Sequence, residues 1–185
     1  MSFPFKFEGI SNQKDIVILK KYLDCNENAW GEVDNKDYWK GRTLFFEEIK
    51  NDIVKNIMIS TVLKGISNVK SIVNNNKEIH LDHLSIARWP TGYELSPHAD
   101  AENPPGFPKH EFYWRDFACI TFLNNDFEGG NLYFPDLNIE VTPEPGQSIC
   151  FPGTMEYLHG VKKITKGVRY TIASFFTYDA SKINY

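Results

Sequence analysis

Two histidines and one aspartate carry the clearest chemistry in the chain. His98-Ala99-Asp100 sets an imidazole and a carboxylate two residues apart. In an extended strand, residues i and i+2 share a face, so both groups can grip one cation from the same side. His159 follows 61 residues later in the short apolar-flanked segment Tyr157-Leu158-His159-Gly160-Val161. Two imidazoles and one carboxylate on one side of a metal leave further coordination positions open, the donor set of mononuclear non-haem iron. Arg169 stands ten residues beyond His159, and its planar fork can clamp the far carboxylate of a chelating oxo acid. Thr171 points to the same side of that segment and can add a hydroxyl.

A lone His-x-Asp triplet is weak evidence, and this chain supplies its own decoy. His80-Leu81-Asp82 has the same spacing and is followed by His83. In a strand His83 faces away from the other two, so all three cannot share one ion. Hydrogen bonding along the sheet is the simpler role for that group. His98 and Asp100 differ from it in having His159 and Arg169 downstream.

The elements that must position these groups follow from the hydrophobic pattern. Ser11 or Asn12 can cap a helix running to about Asp24, with Ile16, Leu19 and Leu23 on its buried side. A polar stretch, Cys25–Lys40, contains Trp30 and Trp39. The pattern predicts a second helix over Glu47–Val73, burying Ile53, Ile57, Thr61, Gly65, Val69 and Ile72. After Asn74 the predicted elements are strands: Ile79–Trp89, Glu94–Ala101, Phe117–Asn124, Asn131–Phe134, Asn138–Thr142, Gln147–Phe151, Tyr157–Lys163 and Arg169–Thr177. Turn signals separate them, and Glu128-Gly129-Gly130 calls for a tight turn with positive φ. So many short strands imply a sandwich, jelly roll or barrel with helices packed on it. We expect one α+β domain over 1–185, with 1–76 mainly helical support and 77–185 the β core.

Composition bounds the function. The 185 residues carry 20 Lys plus Arg against 24 Asp plus Glu, a net charge of −4, without the cationic field of a non-specific nucleic-acid binder. No apolar run approaches the roughly 20 residues of a membrane helix, the longest clear one being Phe117–Leu123. The opening MSFPFKFEGI has no signal-like apolar core. Three cysteines without a CxxC pair argue against a disulfide framework and for the reducing cytoplasm. Cys119 and Cys150 read as small core hydrophobes. Arg42 reads as solvated or strand-pairing, and His110 as a surface histidine. The loop Ala101–Trp114 holds three Pro and four aromatic rings, able either to cover a substrate or to fold back on the sheet.

From Leu84 to Ala180 the sequence resembles the 2-oxoglutarate- and Fe(II)-dependent dioxygenases, in the prolyl 4-hydroxylase-like branch. The resemblance lies in Ala87-Arg88-Trp89-Pro90, Pro97-His98-Ala99-Asp100, Arg115 through Asn124, Glu128-Gly129-Gly130-Asn131-Leu132, Pro145-Gly146 and Arg169-Tyr170-Thr171-Ile172. It implies a double-stranded β-helix (jelly-roll, cupin-like) core buttressed by N-terminal helices. It also implies Fe(II) on His98, Asp100 and His159, with 2-oxoglutarate and O2 as cosubstrates and ascorbate as a reductant. Arg169 would hold the distal carboxylate of 2-oxoglutarate, in a pocket shared by Thr171, Ile120, Leu132 and Trp89. Arg115, Trp114 and Tyr93 would face the substrate.

The implied activity is hydroxylation of a prolyl residue in a peptide or protein, with succinate and CO2 as co-products. A free amino acid or other small molecule is the rival substrate, and a non-catalytic cupin-like metal-binding protein the rival class. Nucleic-acid demethylation is disfavoured, because the second Arg of that branch, six residues past the first, is replaced by Phe175. The chain departs from family pattern at Trp89, Leu95 and Phe122, where relatives often carry Tyr; the indole offers one N–H and the others no donor. Collagen-type members carry Lys where Arg169 stands.

Overall fold

The computed structural model describes residues 2–26, 30 and 42–183. Helix α1 (Gln13–Cys25) begins where the Asn12 side chain accepts the Lys14 N–H at 3.0 Å, and it buries Ile16, Leu19 and Leu23 as predicted. Helix α2 (Asp52–Val73) is capped by Asn51, which accepts from the Ile53 and Val54 N–H groups. It stops at Asn74, held at φ 44 in the left-handed region that asparagine tolerates. The helix starts five residues later than predicted, because Thr43–Phe45 is a strand and Phe46–Glu48 a single 3-10 turn. Its buried face is also rotated: Val54, Met58 and Val62 join Ile57, Thr61, Gly65 and Val69, while Ile53 is 59% exposed. The predicted polar stretch lies mostly outside the described residues, Trp39 included.

The strands are β1 (Phe5–Glu8), β2 (Thr43–Phe45), β3 (His80–Pro90), β4 (Leu95–His98), β5 (Phe117–Phe122), β6 (Glu128–Gly129), β7 (Leu132–Phe134), β8 (Ile139–Val141), β9 (Gln147–Pro152), β10 (His159–Val161), β11 (Ile164–Lys166) and β12 (Val168–Thr177). A six-stranded sheet runs β1-β9-β5-β12-β3-β2, and a four-stranded sheet runs β4-β10-β7-β8. β11 and β6 form a two-stranded ribbon, and the pairings are antiparallel throughout. This is the jelly-roll core, mostly β with few helices. β1, β2, β6 and β11 went unanticipated. The first two come from the segment expected to be helical support, yet they close both edges of the large sheet.

Alternation along the central strands sorts residues to two cores. Tyr170, Ile172 and Phe176 of β12 pack with Leu19, Met58 and Val69 of the helices. Phe122, Trp89, Leu132, Phe134 and Phe151 form a second cluster between the sheets. Gly65 lets α2 lie against the sheet, since a Cβ there would stand 3.1 Å from the Phe176 ring.

Two expectations need correction. Cys119 and Cys150 lie buried in the core as expected, but they are joined as a disulfide instead of packing as separate thiols. They are direct partners in the β5–β9 register, with Cα atoms 4.2 Å apart across a sequence separation of 31. Arg42 is not solvated. Its carbonyl accepts the Arg88 N–H, as strand pairing requires, but its side chain is 2% exposed with the guanidinium over the Trp89 and Tyr93 rings.

Candidate metal centre

His98 ends β4 and His159 begins β10, and the two are opposite each other in the register of the smaller sheet. Their ring centroids are 4.5 Å apart. The strand stops at His98, three residues short of the predicted end, so Asp100 sits on the turn beyond it and still reaches the same point. One ligand atom from each residue lies within 4.8 Å of the others. The Nδ1 atoms face backbone carbonyls: His98 that of Ser96 at 3.0 Å, His159 that of Tyr157 at 3.0 Å. A carbonyl only accepts, so each Nδ1 carries the proton and each Nε2 keeps its lone pair. Those Nε2 atoms stand 3.6 Å from Oδ1 and Oδ2 of Asp100, too far for hydrogen bonds and suited to groups sharing a cation.

The electrostatics of the trio are set by burial and by the three groups acting on one another. Burial works against the charge on Asp100, but His159 and His98 outweigh it and hold the carboxyl below its usual range. Burial lowers His159 despite the carboxylate beside it. For His98 the opposing influence of Asp100 wins over burial, and it is raised. Asp100 Oδ2 is buried without a hydrogen-bond partner, a costly state for a carboxylate that a bound cation would relieve. The residues therefore fit Fe(II), a hard-to-borderline ion that accepts imidazole and carboxylate together. The trio is packed and tied on several sides. Phe151 and Phe134 pack on the His159 ring, with centroids at 4.5 and 5.8 Å. Glu102 accepts the Met155 N–H at 2.7 Å, and Ala101 N–H bonds Gly153 O at 2.9 Å, tying the Asp100 turn to the segment before His159.

Arg169, the second residue of β12, lies between the sheets and is 1% exposed. Its guanidinium carbon lies 5.5 Å from the Trp89 ring centre and 5.3 Å from that of Phe122. No carboxylate among the described residues pairs with it, and its Nε has no hydrogen-bond partner. Burial lowers its pKa to about 9, so it is still cationic at neutral pH. A buried cation without a countercharge is expensive, and an anionic ligand supplies the compensation. Thr171, 2% exposed, follows on the same face of the strand, opposite Phe122. Leu132 and Trp89 belong to the apolar cluster around the guanidinium, with Ile120 packed against it.

Arg115 and Trp114 lie beyond the metal residues and meet at Asp82. Arg115 Nε donates to Oδ2 at 2.7 Å, Trp114 Nε1 donates to Oδ1 at 2.9 Å, and Asp82 is 1% exposed. The guanidinium of Arg115 also covers the Phe112 and Phe175 rings. Among the described residues the decoy triplet forms no group converging on one ion; its Asp82 supplies the buried anchor of the Trp114–Arg115 segment, a role its spacing does not signal. Tyr93 is 40% exposed, beneath Arg42. The rings of the 101–114 loop divide: Trp114 folds back, whereas Phe107 is 70% exposed. His110 caps the Phe112 N–H locally and stands apart from the metal residues.

Known proteins resemble this chain in sequence and in fold. The family model of the 2OG-Fe(II) oxygenase superfamily matches residues 84–177. Over 111 residues the chain is 35% identical to prolyl 3-hydroxylase 1 of Gallus gallus, a match covering 57% of this chain and 14% of that protein. The chain thus spans about a seventh of that relative's length. Among solved structures, the collagen prolyl hydroxylase of Paramecium Bursaria Chlorella virus-1, in its 2OG complex, superposes with a TM-score of 0.70 at 16% identity, covering 95% of this chain and 96% of that one. A prolyl hydroxylase of Trichoplax adhaerens, in complex with a hypoxia inducible factor oxygen degradation domain peptide fragment, gives 0.68 at 18% identity, covering 96% and 84%. At such identities the structural likeness speaks for the fold alone.

Proposed function

The chain belongs to the 2OG-Fe(II) oxygenase superfamily, and on that premise we propose that it hydroxylates a prolyl residue of a peptide or protein. The observation that carries the reading is the buried His98–Asp100–His159 trio beside a buried, uncompensated Arg169. Fe(II), bound with 2-oxoglutarate and O2, supplies the oxidising power for an unactivated C–H, with succinate and CO2 as co-products.

The chain's own residues do the rest. His98, Asp100 and His159 hold the metal from one side, their proton positions set by the Ser96 and Tyr157 carbonyls. Arg169 takes the distal carboxylate of 2-oxoglutarate, with Thr171 beside it. Trp89, Phe122, Ile120 and Leu132 exclude water around that pair and so strengthen it. Arg115 and Trp114, fixed on Asp82, border the substrate, with Tyr93 at the rim of the Trp89 side. The names of the relatives support proline as the target.

The test adds Fe(II) and 2-oxoglutarate to the anaerobic protein, admits air, and measures succinate with and without proline-containing peptides. The expected result is succinate formation raised several-fold by a peptide, with one oxygen added to its proline; product analysis then separates 3- from 4-hydroxyproline. Stimulation by free proline but by no peptide would replace the peptide reading with a small-molecule one.

A further inference from the structure

We propose that Asn124 is the positioning residue that sets the depth and direction of Arg169, through the main chain on both sides of it. The inference rests on reading Arg169 as the anchor for the distal carboxylate of 2-oxoglutarate.

The β5–β12 ladder ends at the pair Phe122–Thr171, and the Leu123 N–H adds one more bond, to Tyr170 O at 3.0 Å. Past that point the β5 chain turns away, and the side chain of Asn124 continues the ladder in place of a backbone. Its Oδ1 accepts the Tyr170 N–H at 2.7 Å, and its Nδ2 donates to Val168 O at 2.7 Å. One amide therefore grips the peptide groups immediately before and after Arg169. Asn124 is 5% exposed, so water cannot take over either bond cheaply.

The clamp matters because β3 holds only one side of this backbone, with Arg169 opposite Trp89, and no hydrogen bond within the described residues fixes the guanidinium itself. Its neighbours among the described residues include the Trp89 and Phe122 rings, which confine it without fixing its rotation, and the Gly130 backbone, where a Cβ would stand 3.1 Å from Arg169 Cδ. A long side chain with an unanchored head is positioned mainly by its backbone. The clamp is itself braced: Asn124 Nδ2 also bonds Asp126, which lies 3.7 Å from Lys20 of α1.

Asn124→Ala is compared with the wild type by calorimetry on the anaerobic Ni(II)-loaded protein. The two ligands are 2-oxoglutarate and 2-oxobutyrate, which keeps the chelating oxo acid but lacks the distal carboxylate. Affinity for 2-oxoglutarate should fall about tenfold, with 2-oxobutyrate and Ni(II) binding unchanged. In an Arg169→Gln background, Asn124→Ala should cost nothing further. Should the alanine variant not fold, Asn124→Asp preserves the shape and the acceptor for Tyr170 while losing the donor to Val168, and the same selective loss is expected. Equal losses for both acids, or none for either, overturn the clamp. A wild type that fails to prefer 2-oxoglutarate over 2-oxobutyrate overturns the reading of Arg169 itself, and the clamp with it.

Discussion

Asp100 is buried at the point where two imidazole lone pairs converge, and one of its oxygens has no hydrogen-bond partner. Asp100→Asn keeps the shape and removes the charge. Metal retained after dialysis should fall from stoichiometric to trace, while the melting temperature of the metal-free protein holds. Retention of the metal would shift the ligand set elsewhere. His83 poses a different question. Burial, then the Arg115 charge, pushes its pKa down to about 4, against a weaker opposing influence of Asp82. It bonds Ser85 Oγ at 2.9 Å and packs edge-on to Phe45 and Phe175. The folded state thus resists protonation that the unfolded chain accepts near pH 6.5. Its stabilisation is complete above about pH 6.5 and is lost as pH falls toward about 4. His83→Gln should shrink the drop in urea midpoint between about pH 7 and about pH 5; an unchanged drop would assign that slope to other groups.

At the scale of elements, β4 and β10 meet through a residue with no side chain. A Cβ on Gly160 would stand 2.6 Å from Leu95 O and 2.8 Å from the Tyr133 ring. One contact is backbone of β4, so the strand carrying His98 must move away from the one carrying His159. Gly160→Ala should weaken metal binding on the order of tenfold, in line with displacing a ligand's support, read by chelator competition. Unchanged affinity would show that the smaller sheet relaxes around the methyl. The β4–β10 pairing also explains how a strand that stops at His98 still delivers Asp100: the register places His98 opposite His159, and the next turn brings the carboxylate between them.

Across the whole molecule, the large sheet separates two apolar clusters. One packs α1 and α2 on the outer face, and the other surrounds the site between the sheets. Stability and ligand binding therefore draw on different residues. Met58, fully buried on the inner face of α2, tests the division. Met58→Ala should cost about 2–5 kcal/mol in unfolding free energy with metal affinity unchanged. Parallel losses in both would show that the sheet transmits strain from the helices to the site. The N-terminal segment is more than a buttress, since β1 and β2 satisfy the backbone groups at the two edges of that sheet.

The sequence by itself singled out the candidate ligands and their order, because His-x-Asp spacing, apolar flanks and a downstream Arg are local signals, and the fold brings those three residues together. It also determined most of the strands and the start of the first helix, through alternation and the Asn12 side chain, whereas the Asn51 cap and the later start of α2 went unanticipated. Only the tertiary structure decided what depends on partners far along the chain. Asn124 meets Val168 and Tyr170, Asp82 meets Trp114 and Arg115, and Cys119 meets Cys150. Each pairing is set by which strands become neighbours and in what register, and a one-residue slip would turn every such side chain to the other face. β2 likewise exists only because β3 offers an open edge, and the rotation of α2 that exposes Ile53 follows from the sheet it packs on. Local sequence sets what a residue can do; the neighbours that folding brings to it set which of those things it does.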